Sequence, residues 1–103
     1  MISFIKDKRK MTPMTNNIKS CAEKEMLRMT TVFEKLRVVE DAQAKEFYDF
    51  ASNYFKDGIY FFKKKMFIES FEAFIIAWAY IDCGLKMKFF QVPKEQKDWF
   101  TAG

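Results

Sequence analysis

Two aspartates, a run of three lysines and two thiols are the residues of this sequence whose type could do chemistry. Asp82 follows AFIIAWAYI, a nine-residue stretch over 73–81 that carries no charge. Its spacing from Phe71, Ile75, Trp78 and Leu85 puts it near the middle of one helical stripe. A carboxylate there must be hydrogen-bonded or ion-paired, because burying it bare is costly. Lys86 one turn on, and Tyr48 or Ser52 across a hairpin, are the partners that the spacing offers. A structural bond is the expected role, with a reactive carboxylate as the alternative. Asp57 falls on the flank of a neighbouring helix. Hairpin register separates the two aspartates by about six or seven residues, or ~10 Å at a rise of 1.5 Å per residue, too far to share an ion. Asp57 and Asp82 are therefore expected to be structural polar positions.

Lys63-Lys64-Lys65 could bind phosphate, but the three also close a helix. Cations there stabilise the unpaired carbonyls and the negative end of the helix dipole by about 0.3–1 kcal/mol each at best, and capping is the expected role. Cys21 and Cys83 belong to no C-x-x-C pair, so neither a zinc site nor a redox motif is indicated, and two isolated thiols suit a reducing cytoplasm. Histidine is absent. That removes the commonest general base and metal ligand, along with histidine-dependent triads and the histidine-bearing ribonuclease motif of some small helical bundles. No phosphate-binding glycine loop, nucleophile elbow or Glu-x-x-His metal spacing occurs. No catalytic residue, metal or cofactor is expected.

The elements that would position these residues share one rhythm. Apolar residues fall at Ala22, Met26, Met29, Phe33 and Leu36, in steps of four and three, in a first helix starting near Thr12-Pro13. A second seam, Phe47, Ala51, Tyr54, Gly58 and Phe61, follows the polar link of residues 40–43. A third runs Phe67, Phe71, Phe74, Trp78, Ile81 and Leu85. This alternation places each set on one stripe and fits antiparallel helices packed near +20°. Only residues 63–66 join the second and third helices, so they must fold back as a hairpin. Phe61 is then expected opposite Phe71, Tyr54 opposite Trp78, and Phe47 opposite Leu85. Gly58 would face Phe74, the missing side chain making room for a ring. Ala73, Ile76, Tyr80, Cys83 and Met87 form a second apolar face on the third helix, for the first helix, the tail or another protomer to cover. Eight phenylalanines between Phe47 and Phe74 suit a packed core better than a cofactor pocket.

The totals agree with helices. In 103 residues, half are hydrophobic, 31% are charged, and only three glycines and two prolines occur, a composition for one folded domain without turn-rich β-structure. The net charge is +4, but the first ten residues, MISFIKDKRK, hold four cations and one anion, leaving the remainder near neutral. Such a basic arm without a basic folded face is a weak nucleic-acid signal. No secretory leader is expected, since Ile2 to Ile5 runs straight into charge, and nine apolar residues fall far short of the ~18–20 that a bilayer span needs.

The segment YFKDGIYFFKKKMFIESFEAFIIAWAYIDCGLK (54–86) and the following FFQV resemble the archaeal domain of unknown function 357 family. That family carries a tyrosine-rich, Asp-containing second helix, a short basic or glycine turn, and an alanine- and aromatic-rich third helix ending in an aspartate. Asp57, Ala73, Ala77, Tyr80, Asp82 and Gly84 sit where its pattern would put them, over roughly residues 43–92. Gly58 stands where alanine is usual, and Lys65-Met66-Phe67 where a glycine turn is typical. The resemblance implies an archaeal, cytoplasmic, up-and-down three-helix bundle with no assigned activity.

The expected fold is all-α: a basic arm over 1–12, an antiparallel up-and-down three-helix bundle over 13–88, and a C-terminal tail or short fourth helix over 89–103 that docks through Trp99 and Phe100. Either Met1 or Met11 could serve as the start. The expected role is a non-catalytic protein–protein interaction or self-association module, a homodimer included, with contacts at Ile76, Tyr80, Met87, Phe89, Phe90 and Trp99. The alternatives are a nucleic-acid-associated accessory protein using the arm and Lys63 to Lys65, and a carboxylate-dependent enzyme centred on Asp82.

Overall fold

The computed structural model describes residues 14–100, with side chains from residue 17 on. The basic arm, the Thr12-Pro13 start and the last three residues lie outside the described residues. Three long helices dominate: α1 (Met14–Lys35), α2 (Ala42–Lys63) and α3 (Phe67–Lys86). The fold is all-α, and α3 is its hub. It packs most extensively on α2 and next on α1, whereas α1 and α2 touch each other least.

Local chemistry sets the ends of these helices. The Asp41 carboxylate accepts from the backbone N–H groups of Gln43 and Ala44, both at 3.1 Å, so α2 begins inside the segment expected to be a polar link. At its other end Met66 N–H donates to Phe61 C=O and Lys65 N–H to Phe62 C=O. That is the reciprocal Schellman pattern, with Lys65 at φ 63° in the left-handed position that glycine usually takes. The end of α3 repeats it: Phe89 N–H donates to Gly84 C=O, Lys88 N–H to Leu85 C=O, and Lys88 sits at φ 65°.

The expected helical seams line the core. Ala22 and Met29 of α1, Ala51 and Gly58 of α2, and Phe74 and Ile81 of α3 are all buried. Gly58 does lie against Phe74: a Cβ added there would overlap the ring. The Ser70 hydroxyl donates to the Gly58 carbonyl at 2.7 Å, so the two backbones meet closely at this point. Gly84 holds a second such notch, filled by the Phe90 ring.

The ring partners differ from those the spacing suggested. Tyr54 stacks on Tyr80 at 6.0 Å, and Phe47 packs edge-on against Tyr80 at 5.9 Å and Phe89 at 5.3 Å. Trp78 instead leaves the hairpin seam. Arg28 of α1 lies over its ring at 4.6 Å, steadied by Glu25 at 3.3 Å, and Phe100 of the tail stacks on it at 4.2 Å. The side of α3 that carries Trp78 also carries Phe71, which lines a groove with Ile18 and Cys21 of α1, so this part of the stripe meets α1 and the tail, whereas the α2 rings meet Tyr80.

The connections carry a feature that the sequence pattern did not indicate. Residues Arg37–Val38 (β1), between α1 and α2, pair antiparallel with Phe90–Gln91 (β2), just after α3. Val39 N–H extends the ladder to Phe89 C=O at 2.9 Å. The chain then turns through a 3-10 helix, Lys94–Trp99, which buries Gln96 and delivers Phe100 to Trp78. Lys35 and Glu95, 3.7 Å apart, link α1 to this segment, although an exposed pair adds little.

Candidate interaction surface

With α2 on one flank of α3 and α1 on the other, the third side of α3 meets solvent. Ile68, Ile75, Ile76 and Met87 are 57%, 42%, 39% and 56% exposed, and Ala79 and Cys83 are exposed between them. At 3.6 residues per turn these positions share one face. Near its N-terminal half this face widens into a groove of about 830 Å³, walled by Ile18 and Cys21 of α1 and by Ile68, Phe71, Ile75 and Ile76 of α3. Among the described residues Glu72 is the one charged residue in its lining. On the other flank Phe50, 43% exposed, stacks on Tyr80 at 5.3 Å.

Charge is distributed unevenly along the face. Glu69 and Glu72 are exposed at the N-terminal half of α3, and Lys86 and Lys88 are exposed at its C-terminal end. The face is therefore apolar along its length, acidic toward one end and basic at the other. Scattered exposed apolar residues are ordinary, but a contiguous patch usually marks an interaction site.

The residues named from the sequence divide on this map. Ile76 and Met87 belong to the open face. Trp99, 37% exposed, lies apart on the 3-10 helix. Tyr80 is half-buried among Phe47, Phe50 and Tyr54, and Phe89 is half-buried against Phe47. Phe90 is 2% exposed: Gly84 lacks a side chain, so the ring fills that notch and is closed to any partner. Of the second apolar face of α3, Ala73 is buried, whereas among the described residues neither α1 nor the tail covers Ile76, Cys83 or Met87, so of the three expected covers only another protomer is left for them. Ile18 and Ile68 escaped the sequence reading, and Ile75 was placed on the stripe around Asp82 and not on an open face. The signal that could have found Ile68 and Ile75 was their four- and three-residue spacing from Glu72.

Asp57 is exposed and Asp82 half-buried. Asp82 has a partner, by hydrogen bond or charge. Among the described residues no three His, Cys, Asp or Glu side chains come together so as to hold a metal ion. Lys63, Lys64 and Lys65 are exposed around the end of α2, and the Lys64 ammonium lies 5.7 Å from the Tyr60 ring centre. No helix among the described residues is long and apolar enough to cross a membrane.

The model for the family described as protein of unknown function (DUF357) matches residues 10–90. The chain belongs to the DUF357 family. A crystal structure of another member, protein AF1782 from Archaeoglobus fulgidus, superposes with a TM-score of 0.69 at 18% identity, covering 79% of this chain and all of that one. At that identity the likeness concerns the fold. No curated protein matches the chain. As a DUF357 protein the chain folds as three long helices packed on one another.

Proposed function

We propose that this DUF357 chain is a non-catalytic protein–protein interaction module that binds a polypeptide along the open side of α3. The observation that carries this reading is the continuous apolar face from Ile68 to Met87, with its groove against α1. A helix buried on two sides and apolar on the third leaves hydrophobic area in water, and covering it is worth roughly 25 cal/mol per Å² before the costs of association. An extended groove with few polar groups suits an amphipathic helix better than a small polar substrate.

Because Ile68 and Ile76 are already exposed, replacing both with glutamate should leave the fold intact while making the face polar. The immobilised chain should retain a polypeptide, a second copy included, that the Ile68→Glu/Ile76→Glu variant of equal melting temperature releases. Equal retention by both forms, or none by either, overturns the reading.

A further inference from the structure

The open face of α3 has an internal symmetry. Six of its positions, 68, 72, 76, 79, 83 and 87, are separated by intervals of 4, 4, 3, 4 and 4, the same in either direction, while Ile75 lies beside them on the groove. Reversing the helix about a point between Ala77 and Trp78 exchanges Ile68 with Met87, Glu72 with Cys83, and Ile76 with Ala79. These six positions therefore map onto themselves. This is the condition an isologous two-fold interface imposes, where each patch must complement its own copy. The charges obey the same reversal, since the half bearing Glu69 and Glu72 falls against the end bearing Lys86 and Lys88.

We propose that α3 pairs antiparallel with α3 of a second copy of this chain, in the register that sets Ile68 against Met87 and Glu72 against Cys83. This deepens the interaction reading above and rests on it. Lys86 lies three residues beyond Cys83. Helical side chains lean toward their own N-terminus, so Lys86 and the Glu72 of the other copy lean toward each other. Each two-fold pair makes this contact twice. It also offers the carboxylate of Glu72 a counter-ion within a face that is otherwise apolar. Shifting the register by one turn would return Ile68 or Met87 to water and separate the charges.

The size of the patch sets the strength. A 20-residue helix is about 30 Å long, and such a strip alone falls short of the ~800 Å² per partner of a standard interface. Ile18 and Cys21 on one flank and Phe50 on the other extend it. A dimer with a dissociation constant in the micromolar range is expected.

Two measurements on the full chain test the pairing. In sedimentation equilibrium, Glu72→Lys and Lys86→Glu should each weaken the dimer about tenfold, and the double variant should restore it, because only a self-complementary interface repairs a swap within one chain. In a chain whose Cys21 and Cys83 are replaced by serine, Ala79→Cys lies about 4–5 Å along the axis from its counterpart and should cross-link on mild oxidation. Lys56→Cys, on α2, should not. A monomer at millimolar concentration, a swap that fails to rescue, or equal cross-linking at both positions overturns the proposal. If the chain is monomeric yet a different polypeptide is still released by Ile68→Glu/Ile76→Glu, the self-pairing falls and the interaction reading stands.

Discussion

At Gly58 two effects of opposite sign compete. Alanine in place of a helix-interior glycine ordinarily gains about 1 kcal/mol of helix propensity. Here the new methyl would enter the Phe74 ring, which is fully buried and held against Phe55 at 5.9 Å. Overpacking of this kind costs roughly 1–3 kcal/mol, and a ring enclosed on all sides cannot swing away cheaply. Gly58→Ala is therefore expected to destabilise the chain by up to about 2 kcal/mol net in urea unfolding; a rise in stability would mean that Phe74 has room. The opposite result is expected at Lys65, whose φ of 63° strains a residue carrying a Cβ. Lys65→Gly should raise stability by about 1 kcal/mol, and an unchanged unfolding midpoint would count against the left-handed cap. The Gly58–Phe74 meeting was legible in the sequence because one residue lacked a side chain in a seam otherwise made of large ones. The lysine caps were not, since nothing in Lys-Met-Phe announces a positive φ.

The helices were legible because each carries its own stripe, and period alone placed them. What period could not decide was which stripe meets which neighbour on α3, an element apolar nearly all round. Trp78 shows the difficulty: it sits in the same four-three alternation as Phe74, yet it faces Arg28 and Phe100. The β1–β2 ladder was invisible for a different reason. Two residues per strand give no alternation to detect, and their pairing joins segments more than fifty residues apart. The tail was expected to dock through Trp99 and Phe100; Phe100 stacks on Trp78, whereas Trp99 is exposed. Phe100→Ala should cost about 2–3 kcal/mol, below the usual range for a core phenylalanine because a chain end can relax. It should also weaken the near-ultraviolet circular dichroism of the stacked rings. A variant with an unaltered aromatic spectrum and unfolding midpoint would contradict that role for the tail.

Across the whole molecule, the arrangement follows from having one helix more apolar than two neighbours can cover. The rings of α2 take one side of α3. Arg28, Phe100 and the rest of the α1 and tail packing take another. What remains is the line from Ile68 to Met87, and the sequence marked only Ile76, Cys83 and Met87 of it, within a broader set that also held Tyr80. A solvent-facing isoleucine cannot be told from a buried one by type, so the open face emerged only once α1 and the tail had been placed. The most direct test of the account is a set of isoleucine methyl spectra recorded while the chain is diluted, and again as a bound polypeptide is titrated away. The methyl groups of Ile68, Ile75 and Ile76 should shift together as the face is uncovered, while those of Ile81 and Ile59 stay fixed. Shifts confined to Ile59 and Ile81, with Ile68 and Ile76 unmoved, would contradict it.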